Sequence, residues 1–161
     1  MQGDPEIIEL LNEILTAELT AINQYFIHAK MLENWGLHEL AEHAQAESID
    51  EMKDADALIN RILMFDGHPN VQRLLNIQVG ESPEEMLRLA VESERGAVAQ
   101  FNAGAQECRD LGDHGSAQVF EEMVRDEERH ADWFESQLDA IRLLGVEAYL
   151  AQQIDAGGAS G

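Results

Sequence analysis

Apolar residues recur along most of this chain at alternating steps of three and four positions, the spacing of amphipathic helices. The pattern predicts four long helices over residues 5–34, 38–66, 83–112 and 116–144, and a short fifth helix over 146–154. Asp4 and Pro5 supply a capping side chain and a first-turn proline, and Ser82 and Pro83 do the same for the third helix. The chain is therefore expected to be all-α.

The connections between the helices predict their arrangement. Short turns at Gly36 and Gly112 make each flanking pair an antiparallel hairpin. The longer connection over 67–81 can cross the length of a bundle, and its apolar residues predict that it packs there: Val71, Leu74, Leu75 and Ile77. We predict one domain over residues 1–154, a four-helix bundle with one long crossover and a short fifth C-terminal helix. The Gly- and Ala-rich segment 155–161 is predicted to be a disordered tail.

Each long helix has an acidic residue in the middle of its apolar stripe. These are Glu18, Glu51, Glu94 and Glu127, and the interval between the first two equals the interval between the last two. A single acid of this kind would usually be a surface residue. Four in matched register are different, because burying a carboxylate is costly unless its charge is compensated, and no Lys or Arg lies near them on these stripes. Metal ions can compensate that charge.

The residues next to these acids specify the predicted site. Glu127 and His130 are three positions apart, so both side chains point from one helix face toward a common centre. The matching pair is Glu51 and Asp54, so the repeat has Asp where a second His is expected. Carboxylates with imidazole and no thiolate favour iron or manganese over structural zinc. The predicted metal ligands are Glu18, Glu51, Asp54, Glu94, Glu127 and His130. We expect the shorter Asp54 to bind through water or to leave a position open.

Charge and cysteine content narrow the possible partners and location. The net charge is −22, from 32 acidic and 10 basic residues, which argues against nucleic acid or a membrane surface as partner. No apolar run approaches the roughly 18 residues of a membrane span. The single Cys108 cannot form an internal disulfide, and its place on an apolar stripe predicts burial. We predict a cytoplasmic protein.

Five segments of the chain resemble, in order, motifs of the bacterioferritin family. They are MQGDP at 1–5, ELTAINQYF at 18–26, NWGL at 34–37, ESIDEMK at 47–53 and DEERHADW at 126–133. The resemblance implies a ferritin-like bundle and a homo-oligomeric cage of 24 subunits built from twofold dimers. It implies that Fe(II) is oxidised with oxygen or peroxide and stored as Fe(III) mineral. By position, the catalytic iron ligands would be Glu18, Glu51, Glu94, Glu127 and His130.

Asp54 departs from that family pattern, which has His at this position, so we predict that ferroxidase turnover is impaired. The resemblance also implies haem b, held between two subunits by one Met from each, and Met52 matches that Met. Met52 lies about 100° around the helix from Glu51, which directs it away from the metal face. From the sequence alone, interface packing is the commoner role for such a Met. The residues implied to line the haem pocket are Leu19, Ile22, Asn23, Phe26 and Ile49.

Three functions remain open on these grounds. The first is a haem-containing iron-storage ferroxidase, and the second is a cage subunit that binds haem and stores iron without ferroxidase activity of its own. The third is another two-metal carboxylate enzyme, such as a manganese catalase or an electron-transfer peroxidase, although the thiolate extension of that peroxidase is missing. Tyr25 is equally consistent with electron donation and with a hydrogen-bonded core role. The other histidines are predicted to be surface or turn residues: His28, His38, His43, His68 and His114.

Overall fold

The computed structural model describes residues 1–154, which form five helices and no strand. The helices α1 to α5 span Pro5–Asn34, His38–Met64, Pro83–Asp110, His114–Leu144 and Val146–Ala151. α1 packs mainly against α2, and α3 against α4, so the chain forms two hairpins joined by the crossover of residues 67–81. The predicted all-α bundle with a short fifth helix is confirmed. The predicted tail, 155–161, lies outside the described residues.

The helix starts follow from their capping residues. The Asp4 side chain accepts a hydrogen bond from the Glu6 amide at 2.8 Å, and the Ser82 hydroxyl accepts one from the Glu85 amide at 3.2 Å. Both caps precede a proline, as predicted. Four predicted bounds were wrong by a few residues. α2 ends at Met64 rather than at 66, and α3 ends at Asp110 rather than at 112. α4 begins at His114 rather than at 116, and α5 ends at Ala151 rather than at 154.

α1 holds the crossover through polar side chains on one face, which we call the α1 ladder. Its four acceptor side chains bind crossover amides as follows: Asn12 binds Asn70 (2.7 Å), Thr20 binds Leu75 (2.9 Å), Gln24 binds Gln78 (3.2 Å) and His28 binds Gly80 (2.9 Å). The ladder replaces the partners that these amides would have in a helix or sheet. The prediction that His28 is a surface or turn residue was wrong. It is buried, and burial lowers its pKa to about 4, so its neutral Nε2 can accept the bond.

The apolar side chains of the crossover do not pack into the bundle as predicted. The backbone faces α1 through the ladder, so these side chains point outward and remain 38–58% exposed: Val71, Leu74, Leu75, Ile77 and Val79. The crossover is therefore attached by its amides, and its side chains leave an apolar strip on the surface.

The core of the bundle has two apolar parts with a polar band between them. One part includes Leu11 and Phe120, and it contains Cys108, which is buried as predicted. The other part includes Leu40 and Phe134. The stripe of each long helix crosses the polar band once, and the predicted metal ligands lie there.

Candidate metal centre

Four glutamates from four different helices meet in the polar band. Glu18, Glu51, Glu94 and Glu127 are each only 1–2% exposed. Such burial is rare for a carboxylate unless a partner compensates its charge. The regular stripes of the four helices place one acid each at the same depth of the bundle, so the sequence repeat becomes a cluster in space.

The donor atoms form two groups that share Glu51. One group is Glu18, Glu51, Asp54 and Glu127, and the other is Glu47, Glu51, Glu94 and His130. Within each group, one donor atom from each residue lies within 4.8 Å of those of the others. The first group offers oxygen only, whereas the second adds one imidazole. The structure thus provides two neighbouring positions of different chemistry.

Eight buried polar atoms in and beside this cluster lack hydrogen-bond partners among residues 1–154. The unpartnered oxygens belong to Glu18, Glu47, Glu51, Glu94 and Glu127, and the unpartnered nitrogens belong to His43 and His130. Each unsatisfied buried group costs about 1–3 kcal/mol, and more when it is charged. A protein retains such a set when another ligand satisfies it. The donor set therefore fits metal ions, and its oxygens suit hard or intermediate cations such as iron and manganese.

The pKa values of these carboxyls reflect the same need for charge compensation. Burial raises the pKa of Glu18, Glu51, Glu94 and Glu127, and the neighbouring acids add mostly to the effect. Burial and the nearby Asp126 raise the pKa of Asp54 to about 7. Burial thus disfavours the ionised form of these carboxyls in the metal-free protein. A cation that binds there would compete with protons for the same oxygens.

His130 directs one ring nitrogen into the cluster. Its Nδ1 is 2.9 Å from a Glu47 oxygen, 3.6 Å from Glu127 and 3.9 Å from both Glu51 and Glu94. The other nitrogen, Nε2, points away from the cluster. Burial alone would lower the pKa of His130, but the facing Glu47 carboxylate outweighs that effect and raises it. His130 is therefore placed to bind a cation through Nδ1.

Two residues of this site were not predicted as part of it. Glu47 is one helical turn from Glu51 on the same face, a spacing that could have identified it. His43 was predicted to be a surface or turn residue, and its side chain is indeed partly exposed, but its Nε2 is buried beside the cluster. Its Nε2 lies 3.0 Å from Glu47, and its ring stacks on Trp133. No spacing within α2 reveals the Trp133 contact, because Trp133 is on α4.

Asp54 and Tyr25 complete the surroundings of the centre. Asp54 is partly buried and belongs to the oxygen-only group, so its short side chain does reach the cluster. The buried Tyr25 hydroxyl donates a hydrogen bond to Glu94, and its ring stacks on Phe134 with centroids 5.8 Å apart. Burial and the nearby Glu94 raise the pKa of Tyr25, which keeps this donor protonated. Tyr25 therefore fixes one ligand of the second group.

The residues implied in haem binding lie on α1 and α2. Their side chains are exposed for Asn23, Phe26, Ile49 and Met52, and partly buried for Leu19 and Ile22. The Ser48 hydroxyl donates to the Ile22 carbonyl at 3.0 Å and joins the two helices there. Phe26, Ile49 and Met52 are each 47–56% exposed, which leaves apolar side chains open to a ligand or another subunit.

A helical bundle with a buried carboxylate–imidazole cluster defines the class of ferritin-like two-metal proteins. The family described as "Ferritin-like domain" matches residues 8–144. This chain belongs to the bacterioferritin family of that class, because curated bacterioferritins match it over nearly its whole length.

Three comparisons carry this assignment. A bacterioferritin from Streptomyces coelicolor is 50% identical and covers 96% of this chain and 93% of its own length. A bacterioferritin from Mycolicibacterium paratuberculosis is 49% identical, and the match covers 94% of this chain and 96% of the relative's own length. The solved structure of a mycobacterial bacterioferritin superimposes with a TM-score of 0.94 at 46% identity, and the match covers 96% of both chains. These homologues support iron storage in a ferritin-like cage.

Each described helix is too short or too polar to cross a bilayer.

Proposed function

We propose that this chain is a ferroxidase subunit that oxidises Fe(II) at the buried centre and stores Fe(III) as mineral inside a cage. The observation that carries the proposal is the set of buried carboxylate oxygens without hydrogen-bond partners among the described residues. Oxygen or peroxide would be the oxidant. The product is the harder cation, and carboxylate oxygens bind it more strongly than they bind Fe(II).

The side chains of the centre have separate roles in this proposal. Glu51 would bridge two Fe(II) ions, since it belongs to both donor groups. Glu18, Asp54 and Glu127 would complete one position, and Glu94 and His130 the other. Two Fe(II) ions carry four positive charges, so the carboxylates of the two groups leave an excess of negative charge when ionised. That excess stabilises the charge gained on oxidation and favours retention of Fe(III).

Iron loading of the metal-free protein tests this function directly. After Fe(II) is added in air, we expect ferric absorbance to rise and iron to co-sediment with the protein, because buried carboxylates bind and oxidise the ion. Absorbance at 300–350 nm and iron analysis across a sedimentation gradient provide the measurement. Serum albumin at equal mass is the control for iron that precipitates unaided. The proposal would be contradicted if the iron precipitated apart from the protein and at the same rate as in the albumin control.

A second function is a cage subunit that binds haem and stores iron without ferroxidase activity of its own. The observation that favours it is Asp54, which replaces the imidazole expected from the internal repeat. The first function predicts slowed Fe(II) oxidation and the second predicts none, and both follow from the loss of an imidazole ligand at position 54. The rate of Fe(II) oxidation by the chain, relative to that of its Asp54→His variant, distinguishes the two functions.

Assembly into a closed homo-oligomer of about 24 subunits fits the surface of the subunit. The crossover exposes its apolar strip, and α1 and α2 expose Phe26, Ile49 and Met52. Exposed apolar side chains in such number are typical of an interface between proteins. The net charge of −22 disfavours nucleic acid and anionic membranes as partners. We place the protein in the cytoplasm, where a lone thiol such as Cys108 stays reduced.

Haem b is proposed to bind between two subunits at Met52. The exposed thioether and its apolar neighbours, Phe26 and Ile49, fit a flat apolar group. Two copies of Met52 related by a twofold axis would hold the haem between two subunits through their sulfurs, and Leu19, Ile22 and Asn23 would line the pocket on α1. The chemistry that haem supplies there is electron transfer.

Substitution of Met52 tests the haem site. We expect Met52→Leu to lose haem while the cage stays assembled, because Leu keeps the apolar contact and removes the sulfur. Haem content per subunit, measured as the pyridine complex, should fall from about one per two subunits to near zero. Met64→Leu, which removes another exposed Met of α2, is the matched control. Haem retained in Met52→Leu at the Met64→Leu level would exclude Met52 as the ligand.

A further inference from the structure

The two donor groups of the centre differ in one kind of donor atom. The first group has four carboxylates, those of Glu18, Glu51, Asp54 and Glu127. The second group has three carboxylates, and its fourth donor is the imidazole of His130. We call the cation positions that these groups enclose the first and the second position. Because the groups share Glu51, the bundle offers two neighbouring cations similar surroundings but different donor atoms.

Asp54 is the source of this difference. The internal repeat pairs Glu51 and Asp54 on α2 with Glu127 and His130 on α4, so the imidazole of one pair is a carboxylate in the other. Asp54 is partly buried, and one of its oxygens lies within 4.8 Å of a donor atom from each other member of the first group. The short side chain therefore keeps the position and changes its donors to oxygen alone.

Oxygen-only sites and sites with imidazole prefer different cations. Carboxylate and water ligands suit manganese and magnesium, whereas imidazole suits iron and zinc. Most sites bind Fe(II) more tightly than Mn(II), so two neighbouring positions separate these ions by their relative preference rather than by absolute affinity. The imidazole of His130 strengthens the preference of the second position for Fe(II). The first position therefore competes less well for Fe(II) and is left open to a harder cation.

The burial of the first group disfavours magnesium at this position. Mg(II) releases its water reluctantly and is usually held by one or two carboxylates together with several waters. Glu18, Glu51 and Glu127 are only 1–2% exposed, and each has a buried oxygen without a hydrogen-bond partner among residues 1–154. The position therefore favours a cation that exchanges most of its water for carboxylate. Mn(II) takes six oxygen ligands, and four carboxylates with water can supply them.

We propose that Asp54 makes the first position selective for Mn(II), so that the centre holds Mn(II) and Fe(II) side by side when both ions are available. Glu51 then bridges two unlike ions, because it belongs to both groups. Mn(II) is the resident ion of the first position, and Fe(II) occupies the second position as substrate. The role of Fe(II) as substrate rests on the proposed function, whereas the preference for Mn(II) rests on the donor atoms of the first group.

Crystals of the metal-free protein grown under argon with equal amounts of Mn(II) and Fe(II), one ion of each per subunit, and with excess Mg(II) test the proposal. Argon keeps the iron as Fe(II), so the result is independent of ferroxidase activity. Anomalous maps from data on both sides of the manganese and iron absorption edges identify the ion at each position. We expect the Mn-to-Fe ratio to be at least about tenfold higher at the first position than at the second.

Three variants show whether the donor atoms cause the preference. Asp54→His gives both groups an imidazole, and His130→Asp gives both groups oxygen alone, so in each variant the two positions should no longer differ in Mn-to-Fe ratio. Asp56→His, at an exposed acid of α2, adds an imidazole outside both groups and should keep the difference. Anaerobic equilibrium dialysis against both ions, followed by metal analysis, measures the bound Mn-to-Fe ratio in solution. That ratio should fall in Asp54→His and rise in His130→Asp.

The possible results separate this proposal from the proposed function. Equal Mn-to-Fe ratios at the two positions, or Mg(II) at the first position, would overturn the selectivity and leave the two-metal centre intact. A difference that persists in Asp54→His would also overturn the selectivity. Two empty donor groups would overturn the centre itself. If Mn(II) and Fe(II) separate as expected but iron loading in air fails, the selectivity stands and the proposed function falls. The maps of the unsubstituted protein decide even if a variant fails to fold.

Discussion

Replacing Glu51 with Gln is expected to slow Fe(II) oxidation by at least about 100-fold. Among the described residues, Glu51 is the one that belongs to both donor groups, and both of its oxygens lack hydrogen-bond partners. Gln keeps the size of the side chain but removes its charge and its ability to bridge two ions. Both positions therefore lose a ligand at once. The initial rise of ferric absorbance in air measures the rate.

The same substitution should stabilise the metal-free protein at neutral pH. Burial raises the pKa of Glu51 in the folded state, whereas its unfolded carboxyl ionises near 4.5. Ionisation then favours the unfolded state, so stability falls as the pH rises above that value. Asp54 acts in the same direction between about pH 4 and its raised pKa of about 7. In EDTA at pH 7.5, Glu51→Gln should melt several degrees above the unsubstituted protein, and at pH 4 the difference should shrink.

Glu42→Gln is the matched control, because Glu42 is an exposed acid on the same helix. It changes the net charge by the same amount and should alter neither the rate nor the pH dependence. Rapid oxidation in Glu51→Gln, or a lower melting temperature than the unsubstituted protein at pH 7.5, would contradict the role of Glu51 as a shared metal ligand.

Replacing Asp54 with His is expected to accelerate Fe(II) oxidation by about 10- to 100-fold. Asp54 gives the first donor group oxygen ligands only, whereas the second group has His130. Imidazole binds Fe(II) more readily than a further carboxylate does, because Fe(II) is softer than Fe(III). In the unsubstituted protein we therefore expect the first position to fill less completely. His at 54 would restore the symmetry of the repeat.

Occupancy and rate together measure this effect. Anomalous diffraction at the iron edge gives the occupancy of each position, and stopped-flow absorbance gives the rate of the first oxidation phase. Asp56→His, at an exposed acid two residues away, is the control for an added imidazole on α2. Equal occupancy of the two positions, with a rate unchanged in Asp54→His, would establish Asp54 as a competent ligand.

The helices and the buried acids could be predicted because both depend on local spacing. A stripe of apolar residues fixes which face of a helix is buried, so an acid such as Glu94 on that stripe must lie inside the bundle. Matched register between helices then places acids such as Glu94 and Glu127 at one depth. The caps at Asp4 and Ser82 were predictable for the same reason, since a cap involves only its own first turn.

The rest of the site depends on contacts between distant segments. His28 is buried because residues 52 positions further along the chain lie over it, and His43 is fixed by Trp133 on another helix. No periodicity within α1 or α2 contains that information. The outward direction of the crossover side chains is a similar case, since it follows from amides that bind α1.

The α1 ladder also constrains the order in which the chain can fold. Its bonds join residues 52 to 58 positions apart, and forming one of them in an open chain would cost the entropy of closing a long loop. Once α1 and α2 have paired as a hairpin, most of that loop is already closed, and the crossover needs only to bind along α1. We therefore expect the crossover to dock on the first hairpin before the second hairpin packs against it. The crossover, once bound to the first hairpin, holds the start of the second hairpin close to its final position in the bundle.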